Sequence, residues 1–131
     1  MTSSSKTTLG LFNDKLISFF EELASTYPEE RDIRMALEAI NGAKKINPKL
    51  VLDLFIENVS KPLHDDILTE NDEHVIAYAK AIISTTYNDM LSALMIFDKH
   101  WPDMSDTNRK AIWNYLKVLV LLSDKAKSAN P

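Results

Sequence analysis

Apolar residues recur at steps of three and four along most of the chain, which is the spacing of one face of an α-helix. The longest such pattern is SDTNRKAIWNYLKVLVLLSDK, from Ser105 to Lys125. Its apolar face is centred on Ile112, Leu116 and Leu119, and it is widened by Trp113, Tyr115, Val120 and Leu122. A face this broad predicts a helix that lies against several neighbours at once.

The remaining strip of this helix is polar and holds Asn114, Lys117 and Asp124, with Leu121 among them. A single exposed leucine is ordinary on a protein surface, so it does not by itself predict a partner. Ser105 is the expected N-cap, because its hydroxyl can accept a hydrogen bond from an amide of the first turn.

Five further helices are predicted before this one, at about residues 9–25, 29–45, 48–61, 73–83 and 87–101. Asn47-Pro48 is the clearest start signal, a capping side chain followed by proline at the first helical position. Pro62 either ends the third helix or begins a short separate turn through about Leu68. Ser84, Thr85 and Thr86 are weak helix formers and predict a break.

The second helix contains several small residues, and these would permit a close approach of a neighbouring helix: Ala36, Ala39, Gly42 and Ala43. Asn41-Gly42 could end this helix early, but the apolar positions keep one face through it. We therefore expect the helix to continue to about Lys45.

The pattern predicts an all-α fold, a single compact bundle of about five or six helices with a long, largely buried C-terminal helix. No stretch alternates with the period of two that strands show. We expect a flexible tail at residues 1–8, the helical domain at 9–125 and a second tail at 126–131. A chain of 131 residues, 45% of them hydrophobic and 26% charged, can bury a core of its own.

The amino-acid composition excludes several kinds of functional site. The absence of cysteine removes disulfides and thiolate chemistry, and two glycines are too few for a phosphate-binding glycine loop. No apolar run approaches the ~18 residues of a membrane span, and the start of the chain has no apolar signal core. The sequence therefore predicts a protein of the cell interior, without a membrane contact.

An acidic segment is the most distinctive local feature of the chain. It contains Asp53, Glu57, Asp65, Asp66, Glu70, Asp72 and Glu73, with His64 inside and His74 just after. We interpret it as a solvated surface suited to a basic partner. His64, Asp65 and Asp66 could supply ligands to a metal ion, but the order of ligands in a calcium loop and the His-Glu-x-x-His spacing are both missing. No metal, cofactor or catalytic residue is therefore predicted.

A smaller basic cluster surrounds the second helical junction. Lys44, Lys45 and Lys49 flank Asn47-Pro48, and Arg34 lies nearer the other end of the second helix. Such lysines could contact phosphates of a nucleic acid. The net charge of −4 argues against a protein that coats nucleic acid, although it leaves room for a local patch.

Four segments resemble small helical proteins of large nucleocytoplasmic DNA viruses that infect algae and other protists: LFNDKLISFFEEL, YPEERDI, NPKLVLDLF and NRKAIWNYLKVLVLL. The similarity covers about Leu9 to Leu122. It implies a viral setting, in the host cytoplasm or nucleus or in the virion. It implies no activity and no functional residues.

The leading hypothesis is a non-catalytic interaction or assembly protein with a protein partner. The alternative is a nucleic-acid-associated protein that uses the basic cluster. A metal-dependent enzyme with His64, Asp65 and Asp66 is the third possibility, and the sequence does not define the oligomeric state.

Overall fold

Six α-helices make up most of the computed structural model, which describes residues 7–85 and 94–129. They are α1 (Thr8–Thr26), α2 (Arg31–Ile46), α3 (Pro48–Phe55), α4 (Lys61–Leu68), α5 (Asp72–Thr85) and α6 (Asp106–Ala129). A π-helical turn (Ile56–Ser60) joins α3 to α4, and a second π-helical turn (Ile96–His100) and a 3-10 turn (Trp101–Asp103) precede α6. The described ranges contain no β-strand. The predicted all-α bundle with a long C-terminal helix is confirmed.

α1 packs along α6 and also contacts α2 and α3, and the core is built from buried side chains of all six helices. Ile112, Leu116 and Leu119 of α6 are buried, as the apolar spacing predicts. Phe19 of α1 stacks on Tyr115 of α6, with 5.0 Å between the ring centroids. The breadth of the apolar face of α6 thus follows from its contacts with more than one helix.

Polar side chains begin three of the helices. Asn47 accepts a hydrogen bond from the amide of Lys49 at 3.1 Å, with Pro48 as the next residue. Ser105 accepts from the amide of Asn108 at 3.1 Å, and the Thr7 hydroxyl accepts from Gly10 in the same way. The predicted caps at Asn47 and Ser105 are confirmed.

Pro62 does not interrupt the helical path between α3 and α4. The π-helical turn lets the Lys61 amide donate to the Ile56 carbonyl, and Pro62 lies in the first turn of α4. In an uninterrupted α-helix the Asn58 carbonyl would accept from the amide of residue 62, which proline lacks. Tyr78 of α5 donates its hydroxyl to that carbonyl instead. The helical residues through Leu68 are observed as expected, but they continue the path of α3, so the chain neither ends its helix at Pro62 nor begins a separate turn there.

The structure corrects one expectation about α2. The helix runs through Asn41-Gly42 to Ile46, as expected. However, a methyl group at Gly42 would meet nothing within 4 Å, so the expected close approach of a neighbouring helix is wrong at this residue. Gly42 is exposed, whereas Ala36 on the other side of α2 is buried.

Two predicted boundaries differ from the observed ones or cannot be compared with them. α6 continues past Lys125 to Ala129, and Ala126 is buried. The predicted break is wrong at Ser84 and Thr85, which belong to α5, and Thr86 lies outside the described residues. Tyr87, Met90 and Leu91 of the predicted fifth helix lie outside them as well. The end of that helix is described from Leu94 to Trp101, and its apolar residues Leu94, Phe97 and Trp101 are buried. None of the described helices has the length and apolar character needed to cross a membrane.

Candidate functional site

Much of the acidic segment contacts groups of the same chain. Five of its seven carboxylates do so: Glu57 with Lys61 at 2.8 Å, Asp65 with His64 at 3.2 Å, Asp66 with His74 at 3.2 Å, Glu70 with Lys117 at 2.5 Å, and Asp72 with the indole N–H of Trp101 at 3.4 Å. Asp53 and Glu73 are exposed. The segment therefore helps to hold α4 and α5 against the rest of the bundle, and its role as a partner surface stays a prediction.

His64 connects α4 to α6. Its Nε2 lies 2.8 Å from Oδ2 of Asp124, and its Nδ1 lies 3.2 Å from Oδ1 of Asp65. The hydrogen bonds to Asp124 and then to Asp65 raise the pKa of His64 above its ordinary value. Because both carboxylates stabilise the imidazolium form, this contact between α4 and α6 is stronger when His64 is protonated.

The three residues of the metal hypothesis are divided between two contacts. His64 faces Asp65 and Asp124, whereas Asp66 contacts His74 and Asn71. In the part of the chain that the structure describes, no group of three or more histidine, aspartate or glutamate side chains is arranged to hold a metal ion. His64, Asp65 and Asp66 therefore do not converge on one point.

Sequence reasoning missed a second ionic cluster. Glu30 is charged and lies at the start of α2, yet its side chain is only 7% exposed. Oε1 of Glu30 lies 2.9 Å from Nζ of Lys99, and Oε2 lies 3.2 Å from Nε2 of His100. The Lys99 hydrogen bond is the main cause that lowers the pKa of Glu30, while burial acts against it. The ring of Tyr27 stacks on His100 at 4.2 Å.

The basic residues predicted from sequence do not form one group. The Arg34 guanidinium donates to the Pro28 carbonyl, about 15 Å along α2 from Lys44 at a rise of about 1.5 Å per residue. Nζ of Lys44 is 3.5 Å from a carboxylate oxygen of Asp14 in α1. Lys45 and Lys49 are exposed. The structure therefore separates Arg34 from the three lysines.

The junction of α2 and α3 combines exposed lysines with exposed apolar side chains. We call Lys45, Ile46, Lys49 and Leu50 the α2–α3 corner. Ile46 is 88% exposed and Leu50 is 40% exposed. Large apolar side chains lose water contact when a partner covers them, so the nearly full exposure of Ile46 makes this corner a candidate binding surface. Sequence reasoning identified the lysines but not the exposure of the apolar residues that follow each of them, Ile46 and Leu50.

Neighbouring elements hold this corner in place. The buried side chain of Asn13 in α1 donates to the Pro48 carbonyl at 3.1 Å. Beside the corner, Lys49 and Lys127 line one groove of about 200 Å³, together with Asp53, Glu57 and Lys61. The C-terminal end of α6 thus brings a further lysine to the same end of the bundle.

The core contains an apolar cavity of about 60 Å³, which Phe20, Ile40, Val51 and Leu116 help to line. Ligand pockets have volumes of about 300–1,000 Å³. The cavity is therefore a small space between packed side chains rather than a candidate ligand site.

Comparison with known proteins does not assign a family. No protein-family model matches the chain, and no curated protein or solved structure matches it either. On the α2–α3 corner, exposed apolar side chains and exposed lysines are neighbours in the sequence.

Proposed function

We propose that this is a non-catalytic interaction protein whose α2–α3 corner binds an acidic partner protein that also offers apolar side chains. The supporting observation is the 88% exposure of Ile46 between Lys45 and Lys49. Fully burying a side chain of this size is worth about 1.5–3 kcal/mol. The corner thus provides an apolar anchor, and the lysines beside it favour a partner of negative charge.

The composition of the corner favours a protein partner over a nucleic acid. Phosphate contacts depend on several cations acting together. However, Lys44 already forms an ion pair with Asp14, and Arg34 contacts Pro28 near the opposite end of α2. An apolar centre with a charged rim is the usual anatomy of a protein interface. Nucleic-acid binding through Lys45 and Lys49 remains the second candidate, because both lysines are exposed.

The place of action belongs to the same proposal. The resemblance to proteins of large DNA viruses supports a partner found inside an infected cell or in a virus particle. An interaction protein of that setting would act in the host cytoplasm, the nucleus or the virion.

Affinity capture from infected cells tests the proposal, with the bound proteins compared for three versions of the chain. The unaltered protein should capture a set of proteins that resists nuclease, and Ile46→Glu should lose it. Met35→Glu is the matched control, since Met35 is an exposed apolar residue of α2 about 16 Å from Ile46 along the helix. This control should keep the set.

The alternatives give different results. Loss of the captured set after nuclease, with salt-dependent binding that Lys45→Glu and Lys49→Glu abolish, would favour the nucleic-acid candidate. Unchanged capture by the Ile46 variant would overturn the proposed role of the corner. Circular dichroism of each variant confirms that the helical fold is intact.

A further inference from the structure

The C-terminal half of α1 and the N-terminal half of α6 line a surface groove, which is separate from the α2–α3 corner. We call it the α1–α6 groove. Its polar and aromatic lining residues are Phe19, Glu22, Thr26, Tyr27, Asn108 and Tyr115, and the others are apolar. The groove has a volume of about 80 Å³, and one water molecule needs about 10–15 Å³ of cavity volume. It therefore has room for several waters or for the end of a small ligand.

The α1–α6 groove carries a single negative charge. Of the described residues that line it, only Glu22 is charged, and this residue is exposed. The Tyr115 hydroxyl donates a hydrogen bond to the Glu22 carboxylate, and this bond, with burial as the next cause, raises the pKa of Tyr115 to about 12. Burial, and then the charge of Glu29, raises the pKa of Tyr27. Both phenols are therefore neutral near pH 7, so Glu22 alone sets the charge of the lining.

Two basic side chains beside the groove have contacts of their own. The Arg109 guanidinium donates to two backbone carbonyls of the preceding 3-10 turn. Nζ of Lys15 lies 5.1 Å from the centroid of the Tyr115 ring, although Lys15 does not line the groove. This contact shows that the ring attracts an ammonium group. The Glu22 carboxylate has about four lone-pair positions, so the bond from Tyr115 leaves it able to accept from a further donor.

We propose that the α1–α6 groove binds an alkylammonium ion, the group at the end of a lysine side chain or of a polyamine. The Glu22 carboxylate offsets the positive charge of the nitrogen. Phe19, Tyr27 and Tyr115 supply aromatic surface, which attracts ammonium groups. The apolar part of the lining, which includes Ile112, accommodates the alkyl chain next to the nitrogen.

The size and the charge of the groove limit the ligand. Pockets that enclose a whole ligand have volumes of about 300–1,000 Å³, so this groove receives only the ammonium end while the rest of the ligand stays in solvent. An anion would meet the Glu22 carboxylate, with no lining cation among the described residues to offset it. The core cavity differs, because its described lining is entirely apolar.

Titration with a charged ligand and its neutral counterpart, followed by NMR, tests the site. n-Butylammonium should shift the methyl signals of Met104 and Ile112, which line the groove, with a dissociation constant on the order of 1 mM. 1-Butanol has the same chain without the charge and should bind about tenfold more weakly. Equal binding of the two, or no saturable shift below about 50 mM n-butylammonium, would overturn the proposal.

Two further ligands identify the source of the ammonium group. Nα-Acetyl-lysine N-methylamide represents a lysine of a partner protein, and spermidine represents a free polyamine. The one that binds more tightly in the same titration identifies the source. If neither shifts the Met104 and Ile112 signals, the groove is not an alkylammonium site.

A pair of glutamine variants tests the role of the carboxylate. Glu22→Gln removes the charge with little change of shape, and it should weaken n-butylammonium binding about tenfold. Glu21→Gln is the matched control and should bind like the unaltered chain, since Glu21 is exposed on the same helix but does not line the groove. Normal binding by the Glu22 variant, or equal losses in both variants, would contradict the assignment. The result does not depend on the proposed function, because the α2–α3 corner takes no part in it.

Discussion

At the scale of single residues, His64 makes part of the stability depend on pH near neutrality. Its pKa is raised in the folded state by Asp124 and then Asp65. The stabilisation is therefore fully present below the unfolded pKa of about 6.5 and is lost as pH rises through the higher folded pKa. Urea denaturation at about pH 6 and about pH 9 should show that His64→Gln loses more stability at the lower pH. An equal loss at both pH values would contradict this.

Leu119 is the residue on which the position of the core can be tested. Its side chain is 0% exposed in the middle of α6. Leu119→Ala should lower the free energy of unfolding by about 2–5 kcal/mol, the range for truncating a buried leucine. Leu121→Ala on the same helix should change it by less than about 0.5 kcal/mol in the monomer, because that side chain is exposed. Similar losses in urea denaturation would mean that the buried face is misplaced.

Sequence periodicity predicts some of these residue roles and not others. Leu116 and Leu119 are recognised because neighbours at steps of three and four share their apolar character. Glu30 is not recognised as buried, since its partners Lys99 and His100 are 69 and 70 residues away in the chain. A local pattern shows where a charge lies on its own helix but not which distant cation will meet it.

At the scale of secondary-structure elements, Gly42 weakens α2. It lies inside a helix of 16 residues and is exposed, with open space where a side chain would be. Gly42→Ala should raise the free energy of unfolding by about 0.5–1 kcal/mol, because alanine loses less backbone freedom on folding. Ala39→Gly on the same helix is the opposite control and should destabilise. Thermal and urea denaturation measure both changes, and a destabilising Gly42→Ala would contradict this account of the site.

Helix starts are easier to predict than the continuation of a helix through proline. Asn47-Pro48 begins α3 as expected, because the cap and the proline are both local signals. At Pro62 the sequence shows that a backbone hydrogen-bond donor is missing, but not which group replaces it. The replacement donor is the hydroxyl of Tyr78, which reaches the Asn58 carbonyl from α5. Such tertiary partners explain why the sequence left two alternatives at this point.

At the scale of the whole molecule, charges of both signs meet at one end of the bundle, which the net value of −4 does not show. Lys49 near the start of α3 and Lys127 near the end of α6 line one groove with Asp53 and Glu57 of the acidic segment, whereas Glu70 of that segment contacts Lys117 in the middle of α6. The sequence predicted the lysines as a nucleic-acid contact. It could not show the exposure of Ile46, because residue 46 continues the same helical pattern whether or not another helix covers it.

The central claim is that the α2–α3 corner contacts a partner protein, and cross-linking in infected cells tests it most directly. A photo-reactive amino acid in place of Ile46 should cross-link to a defined protein, and Lys45→Glu with Lys49→Glu should remove that product. The same group in place of Met35, exposed on the same helix, should not give the product. Equal products from both positions, or no protein product from position 46, would contradict the claim.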